Sequence, residues 1–131
     1  MSENKMVIFV CEHGAAKSVV AATYLSKFAQ EKGLRIQVLA RGTNPDAGLS
    51  GYAVAGLLAD GLVPNQFTPQ KLSAEEVEAA DRVIAFCDLP EAEPVSNNIE
   101  YWDNVPAVSE DYAKARDIII AKVRAVMKDL I

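Results

Sequence analysis

The chain has 131 residues, 50% of them hydrophobic and 24% charged, and its formal net charge is −5. This length and composition predict a single globular domain, residues 1–131, with its own core, and argue against disorder. The acidic balance argues against nucleic acid or an anionic membrane as the main partner, because both require a basic surface.

Cysteine content and apolar runs indicate the compartment. Two cysteines are too few for a disulfide scaffold. The longest apolar run, residues 6–11, is far shorter than the ~20 residues of a membrane helix. The polar residues before it do not resemble a secretory leader. We therefore expect a soluble, cytoplasmic protein.

Strands and helices are predicted to alternate along the chain. Residues 6–10 form a continuous β-branched and aromatic run, typical of a strand buried on both faces. A loop over 11–18 follows, then a helix to about Lys32 and a strand over 35–40. The remaining predicted elements are a helix containing residues 53–58 and ended by Gly61, a loop over 63–71, a short helix opened by a Ser73–Glu76 capping box, strands over 83–87 and 99–102, and a helix from Ser109 to Leu130.

This alternation predicts an α/β fold with a mainly parallel sheet and right-handed crossovers. Ligands of such sheets bind beyond the carboxyl ends of the strands. The segments after Val10, Ala40, Cys87 and Trp102 should therefore meet at the working edge.

The first strand leads into a loop with the residues of an anion site. Cys11 is followed by five residues and then by Lys17 and Ser18. Backbone N–H groups of 14–18 would point into a loop at a helix N-terminus, which favours a bound anion and a nucleophilic thiolate. Lys17 would add positive charge, and the Ser18 hydroxyl could bond to the sulfur. Spacing alone leaves open a buried cysteine at a strand end and a surface lysine at a helix start.

The segment Val-Ile-Phe-Val-Cys11, five residues, Lys17-Ser18 resembles the nucleophile loop of the low-molecular-weight protein tyrosine phosphatases. Thioredoxin-linked arsenate reductases share that fold, and the loop sequence His-Gly-Ala-Ala-Lys-Ser is more similar to the loop of the reductases. The resemblance extends through residues 41–43, 69–73, 80–84 and 112–118. It implies a three-layer αβα fold whose four parallel strands have the order 2-1-3-4, with Cys11 ending the central first strand.

The resemblance also implies an activity that needs no cofactor. Cys11 would attack a phosphate monoester, from protein phosphotyrosine or a small aryl phosphate, and form a cysteinyl-phosphate. Lys17 would hold the oxyanion, Ser18 would stabilise the sulfur, and Asp103 would protonate the leaving oxygen. The expected substrate contacts are Glu12, His13, Gly14, Ala15, Ala16 and Arg41. Arsenate reduction and phosphate binding without turnover, including binding of a phosphorylated protein, are the alternatives.

Three positions depart from the family pattern. Lys17 replaces an arginine whose planar fork grips phosphate with two donors. Gly14 replaces an asparagine that braces the loop. The family's acidic residue precedes a proline, but here Val105 precedes Pro106, so Asp103 could serve only in a loop with shifted register.

Two further residues keep two interpretations each. Cys87 is predicted to close the third strand. It could attack Cys11 and form a disulfide, as the resemblance to arsenate reductases implies, or it could be a small core residue. His13 is the only histidine, so a two-histidine metal site is impossible within one chain. His13 could join Cys11, Cys87 and Asp103 in a zinc site, but no Cys-x-x-Cys spacing supports one. We therefore predict no metal site, and a place for His13 on the loop rim beside an outward-pointing Glu12.

Overall fold

The computed structural model describes residues 5–64, 67–89 and 99–131. Its elements alternate as predicted from the sequence pattern. In chain order they are β1 (Lys5–Cys11), α1 (Lys17–Glu31), β2 (Ile36–Gly42), α2 (Gly51–Ala59), α3 (Ala74–Ala79), β3 (Arg82–Ala85), β4 (Ile99–Tyr101) and α4 (Tyr112–Leu130).

The strands form one parallel sheet in the order β2-β1-β3-β4. This confirms the predicted fold class and strand order. Cys11 pairs with Gly42, and Val10 pairs with Ala85. Since the strands run in the same direction, the segments that follow them emerge at one edge of the sheet, where Cys11 ends the central strand.

Alternating side chains of β1 supply both faces of the core. Val7 and Phe9 pack in the larger cluster with α1, α2 and α4, whereas Ile8 and Val10 pack with α3 on the other face. All four side chains are fully buried. Helices therefore cover both faces of the sheet, as a continuous apolar strand requires.

A carboxylate at the end of α2 joins three helices. Asp60 accepts hydrogen bonds from Tyr24 (2.6 Å) in α1 and from Tyr112 (2.8 Å) and Arg116 (3.0 Å) in α4. Burial alone would raise the pKa of Asp60, but these donors outweigh burial and hold the pKa below its usual value. The ionised form of Asp60 is therefore favoured in the folded protein.

Three details differ from the sequence prediction. Helix α4 begins at Tyr112 rather than Ser109, because the Asp111 side chain caps it by accepting from the Lys114 N–H. Strand β3 ends at Ala85, so Cys87 lies beyond the strand and not at its end. Leu58, an apolar residue of the helix predicted over residues 53–58, is 53% exposed.

Among the described residues, no helix combines the length and apolarity needed to cross a membrane.

Candidate active site

The loop between β1 and α1, residues 11–18, is called the nucleophile loop below. Cys11 begins it as the last residue of β1 and is buried. Ser18, in the first turn of α1, is also buried, and its Oγ lies 3.0 Å from the Cys11 Sγ. A hydroxyl at this distance can donate to a thiolate, so the expected contact between the Ser18 hydroxyl and the Cys11 sulfur is present.

Carbonyl groups of the nucleophile loop point towards the segment after β2. The carbonyls of four loop residues accept from backbone N–H groups of that segment: Cys11 from Thr43 (3.3 Å), Glu12 from Asn44 (2.7 Å), His13 from Asp46 (3.0 Å) and Ala15 from Ser50 (2.9 Å). In a planar trans peptide, the next N–H points the opposite way from the carbonyl. The N–H groups of residues 12, 13, 14 and 16 therefore point away from the segment after β2.

The backbone N–H groups of the nucleophile loop are available to a ligand. Within residues 5–64, 67–89 and 99–131, no N–H of residues 12–18 donates to a protein acceptor. The N–H groups of Lys17 and Ser18 belong to the free first turn of α1. Successive N–H groups at a helix N-terminus attract phosphate and other oxyanions.

Two glycines let the nucleophile loop lie against the end of β2. Gly14 has φ +61°, and a Cβ added there would lie 2.9 Å from the Gly42 nitrogen. A Cβ on Gly42 would lie 2.7 Å from the Gly14 nitrogen. Backbone bonds from the segment after β2 thus brace the loop where the family pattern uses an asparagine side chain.

Lys17 makes a contact that the sequence did not indicate. Its Nζ donates to the carbonyl of Val105 over 2.8 Å, at a partly buried position. Val105 lies in the loop after β4 and is 4% exposed. The lysine that stands in place of the family's arginine therefore joins two loops of the site.

Cys87 lies close enough to Cys11 to respond to its charge. Burial and the neighbouring Cys11 raise the pKa of Cys87 to about 11, although a hydrogen bond with the Thr43 side chain opposes the rise. Both cysteines are free thiols. Thr43 was not singled out from the sequence as a site residue, because a threonine after a strand carries no distinctive signal.

Arg41 is paired within the fold. Its guanidinium contacts the Glu76 carboxylate at 2.7 and 2.9 Å and also donates to the Ala40 carbonyl. Burial would raise the pKa of Glu76, but hydrogen bonds from Arg41 and Ser73 lower it below its usual value. Arg41 therefore fastens the first turn of α3 to β2, and we leave it out of the proposed anion contacts.

The loop rim is exposed and carries the side chains of Glu12 and His13. Glu12 and His13 point outward, and the His13 Nδ1 lies 3.2 Å from the Asp46 carboxylate. Ala15 is buried and Ala16 half-buried, so these two contribute only backbone groups to the loop.

Asp103 is exposed in a turn after β4 and makes no hydrogen bond or ion pair with another described residue. In the part of the chain that the structure describes, no cluster of three or more His, Cys, Asp or Glu residues could hold a metal ion.

Known structures share this fold at low sequence identity. YwlE from Bacillus subtilis, solved as a mutant, has a TM-score of 0.83 and 20% identity over 96% of this chain and 98% of that chain. YfkJ from Bacillus subtilis has a TM-score of 0.85 and 15% identity over 98% and 96% of the two chains. The thioredoxin-dependent arsenate reductase of Corynebacterium glutamicum has a TM-score of 0.76 and 21% identity over 98% of this chain and 63% of that chain.

A family model describes the chain more directly than these structural likenesses. Residues 6–118 match the model for low molecular weight phosphotyrosine protein phosphatase. The match includes the nucleophile loop, the segment after β2 that braces it, and the loop that carries Val105. The chain therefore belongs to the low molecular weight phosphotyrosine protein phosphatase family.

Proposed function

We propose that this protein hydrolyses phosphate monoesters through a cysteinyl-phosphate on Cys11. The observation that carries the proposal is the Cys11 Sγ, which lies 3.0 Å from the Ser18 Oγ and begins a loop whose N–H groups have no protein acceptor among the described residues. These donors would hold the equatorial phosphoryl oxygens and stabilise charge in the transition state. Ser18 would hold the sulfur as a thiolate ready for attack.

The reaction has two steps. The Cys11 thiolate forms an S–P bond while the P–O bond to the leaving group breaks, and the leaving oxygen takes a proton from Asp103. Water then attacks phosphorus, the S–P bond breaks, and phosphate and the thiolate are released. Microscopic reversibility makes Asp103 the acceptor of the water proton in the second step.

Asp103 supports a preference for good leaving groups. Its carboxylate is exposed and has no partner among the described residues, so little in the fold aims it at the leaving oxygen. Weak proton donation slows the hydrolysis of substrates with poor leaving groups most. Aryl phosphates, including phosphotyrosine in a protein, are therefore the proposed substrate class. A structural neighbour is an arginine phosphatase, which makes phosphoarginine in proteins a second substrate to assay.

Para-nitrophenyl phosphate is the substrate that tests the proposal, because its good leaving group needs little protonation by Asp103. Wild type should turn it over, Cys11→Ser should lose turnover, and vanadate should inhibit. Cys87→Ser is the matched control, because it changes the other free thiol and should keep most activity. Phosphate binding without turnover in wild type would refute the hydrolase and leave a phosphate-binding module.

Proximity of Cys87 to Cys11 favours a second activity, arsenate reduction. Cys11 would displace a hydroxyl from arsenate, and Cys87 would then attack the Cys11 sulfur, so that two thiols lose two electrons and arsenite leaves. A cellular dithiol would have to reduce the resulting disulfide. The two free thiols fit the reducing cytoplasm that we propose as the protein's location.

A single turnover without added reductant distinguishes the two activities. A reductase should convert arsenate to arsenite in one-to-one ratio with protein while both free thiols disappear. The Cys87→Ser variant should form no arsenite. If wild type also forms none, the reductase is excluded and the phosphatase is unaffected.

A further inference from the structure

The bond from Lys17 to Val105 joins the two loops of the site. Lys17 stands at the start of α1, and Val105 lies 88 positions further along the chain. The Lys17 Nζ lies 2.8 Å from the Val105 carbonyl oxygen, in a partly buried setting. No backbone N–H of the described residues donates to that carbonyl. Because a buried carbonyl needs a donor, the ammonium satisfies a group that would otherwise lack one.

This bond holds residues 103–106 of the β4–α4 loop (residues 102–111), which lie between the buried core residues Trp102 and Val108. Trp102 at its start donates to the Ala85 carbonyl, and Glu110 and Asp111 near its end donate to the Ala107 carbonyl. Residues 103–106 make no hydrogen bond from backbone to backbone within the described parts of the chain. The buried Val105 side chain and the Lys17 bond are therefore the attachments of this stretch, which includes Asp103.

An ammonium has more donors than this one bond uses. Lysine carries three N–H donors on a flexible stem. With one on Val105, two remain for a ligand in the nucleophile loop, to which Lys17 itself belongs. A planar guanidinium would orient its donors differently, so the lysine suits a role that divides its donors between two loops.

We propose that Lys17 is a positioning residue that fastens the β4–α4 loop to the nucleophile loop and shares its ammonium between the Val105 carbonyl and a bound oxyanion. The sharing of the ammonium rests on the proposed oxyanion binding, whereas the fastening does not. The two sites are then linked: a bound anion stabilises the fastened loop, and the fastened loop strengthens anion binding by the same factor.

Native-state proteolysis measures the fastening directly. Cleavage by proteinase K within residues 102–111 is mapped by mass spectrometry in wild type, Lys17→Met, Lys17→Arg and Lys32→Met. Loss of one hydrogen bond from a charged donor should raise loop cleavage about tenfold in Lys17→Met. Lys17→Arg should restore most of the protection. Lys32→Met removes the same charge at the other end of α1, where the lysine is exposed, and should match wild type.

Inorganic phosphate tests the sharing. Saturating phosphate should slow loop cleavage in wild type but not in Lys17→Met, and cleavage in the exposed 31–35 turn between α1 and β2 serves as the internal reference. Unchanged loop cleavage in Lys17→Met overturns the fastening, even if phosphate affinity falls, because Lys17 would then be a plain anion contact. Phosphate that binds wild type without slowing loop cleavage overturns the sharing. Absence of turnover with the predicted cleavage pattern would refute the phosphatase and leave the fastening intact.

Discussion

A methyl group on Gly42 should displace the nucleophile loop. Its Cβ would lie 2.7 Å from the Gly14 nitrogen and 2.9 and 3.0 Å from the backbone of His13 and Glu12. Gly42 does not have the positive φ that Gly14 has, so Gly42→Ala tests contact alone. Backbone atoms cannot rotate away as a side chain can, so the loop must shift by roughly half an ångström or more to reach ordinary contact.

This shift predicts losses in both stability and activity. Overpacking of this kind typically costs ~1–3 kcal/mol of unfolding free energy. A misplacement of ~1 Å at reacting groups can cost ~10²-fold in rate, so we expect kcat/KM on para-nitrophenyl phosphate to fall about 10- to 100-fold. Urea titration and steady-state kinetics measure the two quantities.

Gly48→Ala is the matched control. Gly48 lies in the segment that braces the loop, but a Cβ there meets no atom within 4 Å. Its unfolding free energy should stay within about 0.5 kcal/mol of wild type, with unchanged kinetics. If Gly42→Ala behaves like Gly48→Ala in both assays, the close packing of the nucleophile loop on β2 does not set the geometry of the site.

Three further predictions concern individual side chains. Iodoacetamide at pH 7 should alkylate Cys11 much faster than Cys87, because a pKa of about 11 leaves only about one Cys87 thiol in ten thousand ionised; equal rates that phosphate does not change would contradict the anion-binding loop. Asp103→Asn should cost ~10²-fold on alkyl phosphates and less than about tenfold on para-nitrophenyl phosphate, and equal losses would remove Asp103 as the acid. Asp60→Asn should lower the unfolding free energy by ~2–3 kcal/mol at neutral pH, because it weakens the bonds from Tyr24, Tyr112 and Arg116. Since the folded pKa of Asp60 is lowered, the contribution of its carboxylate to stability is complete above the unfolded pKa of about 4 and fades as pH falls through the folded pKa. An undiminished difference in unfolding free energy between wild type and Asp60→Asn, measured by urea titration at about pH 2, would contradict this.

Regular elements followed from local patterns. The uninterrupted apolar run of β1 predicted a strand covered on both faces, and the Ser73–Glu76 capping box opens α3 as expected. The start of α4 was missed because Ser109 and Asp111 are both good capping residues, and only the bond from the Lys114 N–H selects Asp111. Local preference cannot rank two adequate caps when the fold decides between them.

The site was predictable where side chains of adjacent segments carry the chemistry. Cys11 and Ser18 are seven positions apart and meet at the turn from strand to helix. The Lys17 contact was not predictable, since its acceptor is a backbone carbonyl and any residue has one. The pairing of Arg41 was not predictable either, because its partner Glu76 is 35 positions away and both residues resemble ordinary surface charges in the sequence.

Trapping the cysteinyl-phosphate on Cys11 is the most direct test of the proposed hydrolysis. Wild type is mixed rapidly with excess para-nitrophenyl phosphate, quenched in acid during turnover, and digested for mass spectrometry. We expect a phosphoryl group on the Cys11 sulfur of the peptide that contains the nucleophile loop, lost with time as substrate is consumed and absent without substrate. Turnover at full rate with no phosphoryl group on Cys11, or undiminished turnover by Cys11→Ser, would contradict the proposal.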